Sequence, residues 1–178
     1  ATGLVRVSET APMFDREAVA LYVFRVRTVD NSGAVQEADV TVTVDDVNDN
    51  APVVACTGGC VTLIAESAAP GAVVRDLTAA DADDASGGNG NGAVDGTTWA
   101  IVGGDPAGLF AVDQNGQVTL ARALDYEAQT VHYLVVAVRD GGTYPSALTG
   151  TAVVEVRVAD VNEFSPVVAP QPFTVLEN

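Results

Sequence analysis

The chain has no lysine. All eight basic residues are arginine, set against 24 Asp and Glu, and the formal net charge is −16 over 178 residues. The all-arginine usage reads as a codon bias, not as chemistry. So acidic a surface repels phosphate backbones and anionic headgroups, which argues against nucleic acid or a membrane surface as a partner and suits a cation. Histidine is nearly missing too. His132 stands alone, no nucleophile–base constellation accompanies it, and an enzyme is not expected. No apolar run reaches the ~20 residues of a membrane span, so this segment should not insert into a bilayer, and no signal-peptide pattern opens the chain. Both absences suit an internal segment of a longer secreted protein. There is no Asn-x-Ser/Thr sequon, and there are only two cysteines, Cys56 and Cys60, in "CTGGC". They form either a small disulfide-closed loop or two free thiols. Two thiols alone make a poor zinc site, and a disulfide would fit an oxidising compartment.

What is present is repetition. "FDRE" at 14–17 returns as "LDYE" at 124–127, and "VRTVD", ending at Asp30, returns as "VAVRD", ending at Asp140. Both offsets are 110 residues, and "DVNDNAPVV" at 46–54 returns 114 residues later as "DVNEFSPVV" at 160–168. A period near 110 is too long for a solenoid unit and suits whole domains in tandem. The complete copy runs from 51 to 162. Residues 1–50 match only its second half and residues 163–178 only its start, which reads as a window on a longer array. A half sandwich should leave an apolar sheet face open.

The local pattern is strand. In "YVFRVRTVD", Tyr22, Phe24, Val26 and Thr28 share one face and Arg25 and Arg27 the other. Val40, Val42 and Val44 alternate with polar residues, as do Val154, Val156 and Val158. No convincing amphipathic helix is present. Short strands separated by Gly, Asn and Pro turns predict an all-β sandwich.

The acidic residues concentrate between the units. "DDVNDN" at 45–50 places three carboxylates and two amides within six residues. Such a cluster is a solvated turn or a seat for a hard cation. Calcium takes about six to eight oxygens, more than any single loop here supplies with EF-hand spacing. Loops from two sandwiches could converge on the cluster. Without metal its carboxylates repel and the joint flexes; with metal the two domains lock.

These residues resemble the cadherin repeat family over nearly the whole chain. The motifs are "DVNDNAP", "FDRE" and "LDYE", the DxD of "AADADD", the Asn-Gly run after it, "AES", and strands ending in Asp. The resemblance implies tandem seven-stranded Greek-key sandwiches of immunoglobulin-like, cadherin type, with calcium held between successive repeats. At the first joint it assigns Asp15 and Glu17 from the upper domain. The linker gives Asp46, Asn48 and Asp49 by side chain, and Val47 and Asn50 by backbone oxygen. The lower domain gives Asp81, Asp83 and Asp140, with a backbone oxygen near Asn89 or Asn91. At the second joint the candidates are Glu66, Asp125, Glu127, Asp160, Asn162 and Glu163. There Glu163 stands in place of the linker Asp and Phe164 in place of the last Asn, so at most two ions are expected, weakly held. Glu177 matches the glutamate that would serve a third joint.

The function implied is a calcium-stiffened extracellular spacer in a long adhesion or surface-filament protein. Its partners would be neighbouring repeats of the same chain and like or unlike surface proteins. Affinity of extracellular calcium modules is roughly 0.1–1 mM. The alternative is a calcium-dependent ligand- or glycan-binding β-sandwich, which needs exposed aromatics beside the metal. Phe14 alone is near, and it is expected in the core. His132 holds the face position of Tyr22 and is expected in the core or at its rim, Trp99 inside the sandwich, and the threonines of each last strand outward as solvent-facing β formers.

Overall fold

A computed structural model of the chain describes residues 6–7, 14–83, 96–142, 146–172, 174–175 and 177. Ten strands and no α-helix occur among the described residues. The first two, β1 (Leu21–Val29) and β2 (Val35–Thr43), form an antiparallel hairpin in which Leu21 lies opposite Thr43 and Val29 opposite Val35. Asp30 closes its turn: its carboxylate accepts from the Ser32 hydroxyl, the Ser32 N–H and the Ala34 N–H. Those bonds, the Ser32 hydroxyl first, hold the Asp30 carboxyl below its ordinary range.

The remaining strands build a two-layer sandwich. One sheet has the order β4-β10-β9-β6, from Val61–Ala65, Thr149–Ala159, Val131–Arg139 and Thr98–Gly103. The other has the order β3-β5-β8-β7, from Val53–Cys56, Val73–Ala80, Gln117–Leu120 and Phe110–Val112. Non-sequential neighbours make it a Greek key. It has eight segments because its first strand is divided. β3 pairs antiparallel with β5, and β4 then crosses to pair parallel with β10 in the opposite sheet. The crossing is the "CTGGC" loop, closed by a Cys56–Cys60 disulfide.

Alternation fixes what is buried. Val154, Val156 and Val158 of β10 face inward beside Leu134, Val136 and Val138 of the neighbouring β9, and Val118 and Leu120 of β8 join the same core from the other sheet. Burying such side chains is worth about 1.5–3 kcal/mol each. His132 is buried among them with its ring edge-on to Phe110, and Trp99 packs half-buried against the same core. Thr41, Thr43, Thr149 and Thr151 are exposed.

The hairpin differs from the sandwich. Tyr22, Phe24, Val40 and Val42 line an open apolar groove, with Phe24 38% and Val26 36% exposed. Phe14 is not core: it is 45% exposed and packs edge-on against Tyr22. No second sheet covers that face among the described residues, so its apolar residues stay in water. Residues 160–172 carry no strand and lie exposed, as an unpaired strand segment must.

Candidate metal centre

Both "DxE" motifs fold into the same one-turn cap. The Asp15 carboxylate accepts from the Ala18 N–H and its carbonyl from the Val19 N–H; Asp125 does the same for Ala128 and Gln129. Each Asp thereby satisfies backbone donors that a single helical turn leaves open. The cap throws the following glutamate, Glu17 or Glu127, toward the joint.

At the first joint three segments meet. Glu17 from the cap, Asp46 from the linker and Asp83 from the sandwich offer carboxylate oxygens within 4.8 Å of one another. Asp83 is the buried member, 8% exposed. It accepts from the Asn50 backbone N–H at 2.9 Å and from Asn50 Nδ2 at 2.6 Å, while its own N–H donates to Asp81. Asn50 Nδ2 also donates to Asp49. Asn48 reaches the other side of the sandwich end, donating from Nδ2 to the Asp140 carboxylate at 3.2 Å and to the Ser146 carbonyl at 2.8 Å. Asp140 ends β9 as Asp30 ends β1, and like Asp30 it collects turn N–H groups, from Gly142 and Leu148. A groove beside the cluster is lined by Asp15, Glu17, Asp45, Val47, Asp49 and Asn50, among others. The Val47 carbonyl accepts from the Asp49 N–H at 2.8 Å.

The sequence-derived set therefore divides. Glu17, Asp46 and Asp83 come together in one group. Asn50, Asn48, Asp49, Asp81 and Asp140 are tied to them or to each other by hydrogen bonds. Asp15 and Val47 line the adjoining groove. Asn89 and Asn91 lie outside the described residues.

At the second joint Glu66 is the hub. Its two carboxylate oxygens accept from the Tyr126 and Val161 N–H groups, both at 2.7 Å. Two overlapping groups form around it, Glu66 with Asp125 and Glu127, and Glu66 with Asp160 and Glu163. Asn162 lies exposed between the last two, and Phe164 is 69% exposed. Desolvation in the joint, then the Glu127 and Glu66 charges, push the Glu163 carboxyl upward.

The donors suit a hard cation. All are carboxylates, amides or backbone carbonyls; neither His132 nor the disulfide-bonded cysteines belong to the clusters. Such sets fit calcium and not zinc.

Two participants were not read from sequence. Arg16 places Nη1 3.2 Å from Asp46 Oδ1 and 3.5 Å from Glu17 Oε1. Gly142 leaves room for the linker: a Cβ there would lie 2.2 Å from Asn48 Nδ2. The signals were present, in the Arg-for-Tyr difference between "FDRE" and "LDYE" and in the double glycine after Asp140.

Fold and joint together define a tandem β-sandwich protein that gathers acidic side chains where one unit meets the next. The cadherin domain model matches residues 61–159, more than half of the chain. The chain belongs to the cadherin family. It is 34% identical to human protocadherin Fat 4 over 155 residues, covering 86% of this chain and 3% of that protein. It is 38% identical to human protocadherin-7 over 144 residues, covering 79% of this chain and 13% of that protein. The crystal structure of mouse cadherin-23 EC22–24 superposes with a TM-score of 0.66 at 29% identity, over 85% of this chain and 46% of the other. The chain thus spans only a small part of the two protocadherins and just under half of the superposed structure.

Proposed function

We propose that this chain is a structural module of an extracellular adhesion-type protein, in which calcium bound between successive repeats turns a hinge into a strut. The reading assigns 1–50 to the second half of one repeat, 51–162 to a complete repeat and 163–178 to the start of the next. The observation that carries it is the convergence of Glu17, Asp46 and Asp83, one from each side of the joint and one from the linker, within 4.8 Å. Carboxylates this close repel unless positive charge lies among them, and Arg16 pairs with only two of the three.

The residues that would hold the ions at the first joint are Asp15, Glu17, Asp46, Asn48, Asp49, Asp81, Asp83 and Asp140, with the Val47 and Asn50 carbonyls. At the second joint they are Glu66, Asp125, Glu127, Asp160, Asn162 and Glu163. Bound calcium supplies positive charge that several oxygens share. The chain supplies the positioning. The caps at Asp15 and Asp125 aim the glutamates, Asn50 fastens the linker to Asp83, and Asn48 fastens it to the end of β9. Adhesion to like or unlike surface proteins belongs to the whole protein.

The test follows the full chain by thermal unfolding and small-angle scattering across a calcium titration from EDTA. Melting temperature and maximum dimension should both rise toward millimolar calcium, as expected of extracellular sites of roughly 0.1–1 mM affinity. The double substitution Asp49→Ala, Asp83→Ala should abolish both responses at the first joint. Indifference of the wild-type chain to calcium would reduce the cluster to a charged hinge.

A further inference from the structure

Positions 16 and 126 are equivalent in the repeat, yet their side chains go to different places. Tyr126 turns to the sandwich and packs half-buried against its core. Arg16 turns into the joint. Its side chain is only 10% exposed, and the carboxylates it meets are little more so, Glu17 at 23% and Asp46 at 20%. This is not a surface pair of negligible worth, because partial withdrawal from water strengthens the Coulomb term. A guanidinium is charged at every working pH and presents several fixed donors, so it is a permanent cation among the carboxylates. Among the described residues no arginine pairs with Glu66, Asp125, Glu127, Asp160 or Glu163.

We propose that Arg16 is a built-in counter-ion of the first joint, which holds Glu17 and Asp46 together in the absence of divalent cations and competes with calcium for their oxygens. The proposal rests on the calcium reading above. Its consequence is that the two joints differ. The first keeps Glu17 and Asp46 together without metal, though not its remaining carboxylates, and binds calcium less tightly than its oxygens alone would allow. The second has no internal substitute and depends on the ion. Competition is reciprocal: whatever Arg16 contributes to the metal-free joint is subtracted from calcium binding there.

The experiment uses the full chain as wild type, Arg16→Gln, Arg16→Lys and Tyr126→Arg. Amide hydrogen exchange over residues 14–19 and 44–50 is measured in EDTA and in saturating calcium, and calcium binding by calorimetry. Arg16→Gln should speed exchange of those segments in EDTA but not in calcium, and should tighten binding about fivefold or more. Arg16→Lys, which keeps the charge, should stay near wild type. Tyr126→Arg should slow exchange around the second joint in EDTA and weaken binding there. Arg16→Gln and Arg16→Lys moving alike, or Arg16→Gln changing exchange equally with and without calcium, would assign the residue to packing and overturn the proposal. If the wild type binds calcium and Arg16→Gln binds it no more tightly, this proposal alone fails. If the wild type binds none, the calcium reading fails with it.

Discussion

At the scale of single residues, burial and backbone geometry give two sharp expectations. His132 is 4% exposed on the inward face of β9, edge-on to Phe110 with ring centroids 5.2 Å apart. Burial pushes its pKa down, and the Asp105 charge only partly opposes this. The folded state therefore holds a neutral imidazole, while the unfolded chain takes up a proton below about pH 6.5. The stability this contributes is complete above the unfolded value and is lost as pH falls through the folded one. Urea unfolding at pH 7.5 and about 5.5 should show a decline in wild type that His132→Phe reduces; equal slopes in both proteins would refute the assignment. Gly104 is the second case. Its φ is +80°, and a Cβ there would sit 1.7 Å from the Tyr133 carbonyl oxygen. Gly108 has φ +63° with nothing within 4 Å. Gly104→Ala should cost about 3 kcal/mol or more and Gly108→Ala about 1 kcal/mol. Chemical denaturation of the two variants decides this, and similar losses would show that β9 yields easily.

At the scale of elements, the divided first strand is the informative feature. Its crossover is held by more than the disulfide. Arg75 donates to the Thr57 and Val61 carbonyls on either side of the loop, Thr57 N–H donates to Asp76, and Glu155 N–H donates to Cys60. The disulfide spans a sequence separation of 4, so the loop-closure entropy it removes from the unfolded chain is small, about 2 kcal/mol. Reducing it, or replacing Cys56 and Cys60 by Ser, should cost about that much in urea and leave the far-ultraviolet circular dichroism unchanged. Loss of sheet signal would show that the covalent bond holds the crossover. Sequence alternation marks β1, β2 and β10 and separates their apolar faces from their polar ones, because those apolar positions contrast with Thr, Asp, Glu or Arg neighbours. It could not divide the first strand. The pairing of Val61 with Glu155 is set by tertiary contact across 94 residues, with no local signature. Nor could it face β9, since "VHYLVVAVR" is apolar on both sides, and Tyr133 proves 57% exposed while Leu134 is buried. Phe14 misled for a related reason: hydrophobicity predicts burial only where another sheet supplies the cover.

At the scale of the whole molecule, the repeat made the joints legible and charge explains what it left out. An offset of 110 residues matches the two caps and the two strand ends, and one of 114 matches the two linkers. The same comparison by motif passed over Arg16, because only distance shows which way a side chain in a shared motif turns. It also passed over the bonds of Asn48 to Asp140 and Ser146, which depend on how the linker docks on the sandwich. With a formal net charge of −16 and carboxylates gathered at both joints, the metal-free chain stores repulsion there. Salt screens it: the Debye length falls from about 30 Å at 0.01 M to about 8 Å at 0.15 M. In EDTA, raising NaCl across that range should therefore raise the melting temperature. In saturating calcium the same salt should raise it much less, since bound cations already compensate the joints. A melting temperature that falls with salt in EDTA would mean that exposed pairs such as Arg25 with Asp39 outweigh the repulsion. The charge account of the joints would then fail, while the sandwich, built on Val118, Leu134 and their neighbours, would stand unaffected.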